Sequence, residues 1–127
     1  MPHFVVEYTD NLEKETDIHL LLKKANDILI NQNGLFPTAG IRSRAIKLDN
    51  YVIADGEEDY AFVHGSLTVA AGRSENDLQR VTEELFAMIT DHFKEISKDR
   101  YLTLSLELNE FSRPTLKKGN IHARFQK

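Results

Sequence analysis

The sequence contains no cysteine, which excludes disulfide staples, thiolate metal sites and cysteine nucleophiles. Long apolar runs are missing too. Runs such as Leu20 to Leu22 are far too short to span a bilayer. Met1-Pro2-His3 leads straight into strand-like residues rather than into a basic region and a long apolar one, so no secretory signal is read and a cytoplasmic location is expected. Positive charge is scarce as a pattern: Lys and Arg form no stripe, aromatics are not interleaved with them, and the net charge is -4. Nucleic acid is therefore not an expected partner, and neither is a membrane, although isolated cations in an acidic chain can still hold a small anion. No glycine-rich phosphate loop is present, since Gly40 and Gly72 stand alone. The histidines (His3, His19, His64, His92 and His122) show no metal-ligand spacing, and no metal is expected.

What is present is ordinary globular composition. The chain has 127 residues, 41% hydrophobic and 28% charged. That suits one domain over residues 1–127 with one core. The stretch from His3 to Tyr8 reads as a strand. From about Asp17 to Gln32, Leu21, Ala25, Ile28 and Leu29 mark one face of a helix, stopped by Asn33-Gly34. Residues Ile41 to Leu48 read as a second strand, with turns at Asp49-Asn50 and near Asp55-Gly56. The order then repeats. Residues Tyr60 to Val69 form a strand interrupted by Gly65. Gly72-Arg73-Ser74 is a tight junction, with Ser74 and Asp77 resembling a capping box. Leu78, Val81, Leu85, Ile89, Phe93 and Ile96 trace one long helix, and Tyr101 to Leu108 alternates as a half-buried strand. Ile121, Ala123 and Phe125, spaced by two, suggest a short edge strand in the tail.

The chain thus reads as two strand-helix-strand pseudo-repeats, about 2–56 and 57–110, with a C-terminal extension over 111–127. The expected fold class is α+β: one sheet with two helices on one face. Because Val, Leu and Phe recur on both sides of the strands, the other face needs a cover, and a homo-oligomer is the expected one.

Three residues can carry chemistry. Pro2 follows a removable methionine, and the product is a chain that starts with a rigid secondary amine. Burial and nearby arginines would lower its pKa, and a neutral amine near pH 7 can take and return a proton. Proline is also a common second residue; the strand starting at His3 is what fixes this one at a sheet end. Arg42, paired with Arg44 across Ser43, can grip a carboxylate, or can simply be a solvated strand end. Arg73 at the strand-to-helix junction can join the free N–H groups of the helix start in an anion pocket, or be an exposed junction residue. Ser43, Ser66 and Ser74 lack a nucleophile-elbow context. Asp10, Asp17, Glu57, Glu58 and Asp59 read as solvated loop and cap charges.

Together, Pro2-His3-Phe4-Val5-Val6-Glu7-Tyr8, the block Gly34 to Arg44, Ala54-Asp55-Gly56, Asp59 to His64 and Ala71-Gly72-Arg73-Ser74 resemble the 5-carboxymethyl-2-hydroxymuconate delta-isomerase family. That family lies in the tautomerase superfamily, beside 4-oxalocrotonate tautomerase and macrophage migration inhibitory factor. The resemblance is collinear over nearly the whole chain. It implies a homotrimer and a cofactor-independent double-bond shift in a dicarboxylate or tricarboxylate substrate, within homoprotocatechuate degradation. It also implies Pro2 as catalytic base and Arg42 and Arg73 as catalytic and substrate-binding residues; Arg44 matches a family position without a catalytic role. The remaining readings are a superfamily enzyme acting on another keto or enol acid, and a trimeric organic-anion binding protein without turnover.

Overall fold

The computed structural model describes residues 1–126. Strand β1 (His3–Thr9) leads through a 3-10 turn (Asp10–Leu12) to helix α1 (Ile18–Ile30), then to strand β2 (Arg42–Leu48). Strand β3 (Ala61–Ala70), helix α2 (Glu75–His92), the one-turn helix α3 (Ile96–Asp99) and strand β4 (Leu102–Phe111) repeat that order. The sheet runs β2-β1-β3-β4. β1 and β2 are parallel, as are β3 and β4, while β1 and β3 are antiparallel at the centre. The two expected strand-helix-strand units are thus joined back to back in one sheet.

The two long helices, α1 and α2, begin on side-chain caps. The Asp17 carboxylate accepts from the Leu20 N–H, and the Ser74 hydroxyl accepts from the Asp77 N–H, satisfying donors that the first helical turn leaves open. Leu21, Ala25 and Leu29 of α1 and Leu78, Val81, Leu85 and Ile89 of α2 are buried. They share one core with Phe4, Val6, Val63, Leu67 and Val69 of the central strands. The two helices therefore lie on the same face of the sheet.

Gly65 is explained by that core. A Cβ there would stand 3.0 Å from the Phe4 ring and 3.1 Å from Leu106. Phe4 is fully buried, so the glycine is the space into which its ring packs.

Three details differ from the sequence reading. The long second helix ends at His92; Phe93 is its cap residue and Ile96 starts α3. The apolar spacing carries on because Phe93 is itself fully buried below the break. The tail forms a 3-10 turn over Ile121–Phe125 and not a strand. Ile121 and Phe125 stay about half exposed, so no burial pattern imposed the spacing of two. Last, the face of the sheet away from the helices is mainly polar. Leu102, Leu104, Leu106 and Leu108 pack toward the core, leaving Thr103, Ser105, Glu107 and Asn109 on the other side. They stand beside His64, Ser66, Glu7, His3 and Arg44, with Val5, Ile46 and Phe62 as apolar islands. An antiparallel centre tolerates such a wetted face, so the face does not by itself demand a cover.

Candidate active site

Strand register brings the chemistry-bearing residues together. His3 pairs with Arg42 at the start of parallel β2 and with Thr68 near the end of antiparallel β3. The beginning of β1, the beginning of β2 and the end of β3 therefore meet at one edge of the sheet. Pro2 is buried there, and its carbonyl accepts the Arg42 N–H at 3.1 Å. Arg73 arrives from the other side, three residues beyond β3. Gly72 lets the chain turn toward it with a φ of 112°, a conformation that side-chain-bearing residues avoid.

Both arginines are held by backbone. Arg42 Nη1 donates to the Ala39 carbonyl at 2.9 Å. Arg73 Nη1 donates to the Ala70 carbonyl at 3.0 Å and Nη2 to the Leu35 carbonyl at 3.3 Å, and its guanidinium carbon lies 4.7 Å above the Phe36 ring. Neither has a carboxylate within salt-bridge distance among the described residues. Each guanidinium has five donors, so each keeps donors for a ligand. Arg73 does not work with the start of α2, as its position at the junction suggested. Its bonds point back to the sheet end and Leu35. The first turn of α2 carries Glu75 and Asp77, with Ser74 already capping it, and those acids repel an anion.

The N-terminal amine lies in this positive field. With Met1 attached it belongs to Met1, and its pKa is lowered below 8.0, first by burial and then by Arg73 and Lys117. Next to it, burial followed by Arg44 and Arg42 lowers the His3 pKa below 6.5. Arg44 Nη1 stands 3.1 Å from His3 Nδ1. A guanidinium only donates, so Nδ1 accepts and the ring is neutral with its proton on Nε2. Arg44 thus serves His3 on the polar face and is not part of the cavity lining.

A cavity of about 460 Å³ opens at this edge. Met1, Arg42 and the turn residues Pro37, Ala39 and Gly40 line one side. The other side comes from the C-terminal segment, through Lys117, Lys118, Gly119, Ile121 and His122. That side, and the Phe36 ring under Arg73, are what the sequence reading missed. The signal for the lysines was there: every Asp and Glu of the chain precedes residue 111. The signal for Phe36 was the Phe-Pro pair at the turn.

A second polar row, on the open face, was also missed. His64 Nδ1 is 2.7 Å from the Ser105 hydroxyl, and His64 Nε2 is 3.2 Å from Glu107, which also accepts from Ser66. Hydrogen bonds from His64 and Ser66 hold the Glu107 carboxyl below its usual range. Among the described residues no group of three or more His, Asp or Glu is placed to hold a metal ion, and no helix is long and apolar enough to cross a membrane.

The sequence profile of 5-carboxymethyl-2-hydroxymuconate isomerase matches residues 2–125. The 5-carboxymethyl-2-hydroxymuconate Delta-isomerase of Escherichia coli is 45% identical over 128 residues, covering 99% of this chain and 100% of its own length. A crystal structure of a 5-carboxymethyl-2-hydroxymuconate isomerase from Deinococcus radiodurans R1 superposes with a TM-score of 0.93 at 48% identity, over 99% of this chain and 95% of that one. A fused 4-OT described as a symmetric trimer shares the fold alone, with a TM-score of 0.66 at 19% identity over 93% and 92% of the two chains. Pro2, Arg42 and Arg73 thus converge at one sheet edge in a chain whose fold and sequence match throughout, and the chain belongs to the 5-carboxymethyl-2-hydroxymuconate isomerase family.

Proposed function

We propose that this protein is an isomerase that shifts a double bond in 5-carboxymethyl-2-hydroxymuconate, with Pro2 as the proton-transferring base after Met1 is removed. The observation that carries the mechanism is the buried position of Pro2 directly behind Met1, between Arg42 and Arg73. Excision of Met1, which lines the cavity, turns the Pro2 nitrogen beside it from an amide into a secondary amine. The burial and cationic field that lower the pKa of the Met1 amine then act on the proline instead and favour its neutral form.

The proposed step is balanced without any cofactor. The neutral Pro2 nitrogen takes the hydroxyl proton of the dienol, and the oxygen's electron pair forms the ketone. The conjugated double bonds move along the chain, and the far carbon takes a proton from the resulting Pro2 ammonium. Arg42 and Arg73 hold carboxylates and stabilise the charge that develops on the dienolate, an effect worth about 3 kcal/mol for one well-placed donor.

We also propose a homotrimer. Its support is at the sheet edges, where the outer sides of β2 and β4 have no partner strand among the described residues, and in Phe86, partly exposed in a groove with Leu106 of β4. Unpaired edges of this length are ready templates for a second chain.

The test is isomerisation of 5-carboxymethyl-2-hydroxymuconate, followed by ultraviolet absorbance, on protein whose mass shows Met1 absent. Turnover is expected, with kcat reduced about 100-fold or more in Pro2→Ala. Absence of turnover in correctly processed protein would remove the assignment, and full activity in Pro2→Ala would remove the base.

A further inference from the structure

Residues 112–126 form an exposed arm that follows β4 and returns to the start of β1, where Ile121 and His122 face the Pro37–Gly40 turn across the cavity. The arm's composition is one-sided. Residues 111–127 hold Arg113, Lys117, Lys118, Arg124 and Lys127 and no Asp or Glu, in a chain whose net charge is -4. Two of these lysines line the cavity, and no carboxylate lines it with them. Among the described residues neither lysine has an acidic partner within salt-bridge distance. The Lys117 charge reaches the N-terminal amine, whose pKa it helps to lower after burial and Arg73.

Like charges gathered around a cavity repel one another and attract an anion into it. The number of anionic groups matters here. A muconate carries two carboxylates, and the carboxymethyl branch adds a third. Arg42 and Arg73 suffice for two. Arg44 is bonded to His3 outside the cavity lining, and the arm supplies two cations that line the cavity without an acidic partner among the described residues. We propose that the C-terminal arm is a working wall of the substrate site, in which Lys117 and Lys118 bind the substrate carboxylate that Arg42 and Arg73 leave free. This rests on the isomerase reading above. It makes the arm the part of the site that selects a tricarboxylate over a dicarboxylate.

The experiment compares kcat and KM for 5-carboxymethyl-2-hydroxymuconate and for 2-hydroxymuconate, which lacks the third carboxylate. Both are measured in the wild type, in Lys117→Met/Lys118→Met and in Lys117→Arg/Lys118→Arg, all with Met1 absent. The expected result is a fall of about tenfold in the preference for the tricarboxylate in the methionine variant. The fall comes through KM, with kcat for the tricarboxylate within about twofold, and the arginine variant restores the preference. A preference that survives in the methionine variant, or an equal loss on both substrates, overturns the proposal. Should the wild type turn over neither substrate, the isomerase reading fails separately. Calorimetric titration with propane-1,2,3-tricarboxylate and pentanedioate then reads the arm alone. About tenfold tighter binding of the tricarboxylate, lost in the methionine variant, supports the arm's role, and equal binding of the two overturns it.

Discussion

The N-terminal amine just ahead of β1 lies in a field of fixed positive charge, and this gives a prediction for single residues. With Met1 attached that amine has a lowered pKa, and in the proposed mechanism the same field acts on the proline amine that Met1 removal exposes, so its neutral form persists to lower pH than in a free chain. A rate that needs the neutral amine rises with pH through that lowered pKa and is flat above it. Arg73→Ala removes one of the charges responsible. The acid limb of kcat/KM should then move to higher pH, in addition to an overall loss of about 100-fold. A pH profile of the processed variant checks this, and a limb that stays in place or moves down contradicts the assignment of Arg73. At this scale much was legible. Pro2, Arg42 and Arg73 are separated by as many as 71 positions in the sequence, yet each has a chemical reason to be noticed. Phe36 and Lys117 offered only a turn-forming Phe-Pro pair and a carboxylate-free tail, neither of which names a chemistry. Their places in the candidate site come from what the fold sets beside them: a guanidinium over the ring, and a cavity under the ammonium.

Periodicity carried the secondary structure wherever burial enforces it. The spacing of Leu21, Ala25 and Leu29 gave α1, and the alternation of Leu102 to Leu108 gave β4, because both rows pack into the core. It failed where burial does not follow the backbone. Phe93 and Ile96 kept the helical rhythm across a break, and Ile121, Ala123 and Phe125 kept a strand rhythm in a 3-10 turn that is exposed. In β3, Gly65 looked like an interruption of the strand, and the contact with Phe4 explains it. Gly65→Ala forces a methyl group to within 3.0 Å of a buried ring. The cost should be about 1–3 kcal/mol, read as a lower urea midpoint with an unchanged slope. A neutral or stabilising effect would mean that the Phe4 ring has room to move.

For the molecule as a whole, the polar face changes the case for assembly. Apolar residues expected on both sides of the sheet fall mostly on the helix side, so the hydrophobic effect does not compel a cover for the other. The open β2 and β4 edges carry the argument instead. Sedimentation of the processed protein should give three times the 14.6 kDa of the chain, and a species of one chain mass at micromolar concentration would contradict a trimer. The joining of the chain's two ends has an outcome in time as well as in space. Met1 lies against the Pro37–Gly40 turn, across the cavity from Lys117, Lys118 and His122. During synthesis Met1 leaves the ribosome when those last residues have yet to be joined to the chain. An aminopeptidase acting then meets an open N-terminus, whereas one that arrives after release must work beside the arm. In the proposed mechanism, the order of birth along the chain thus lets Met1 be cut away before residues 117–122 come to lie across the cavity.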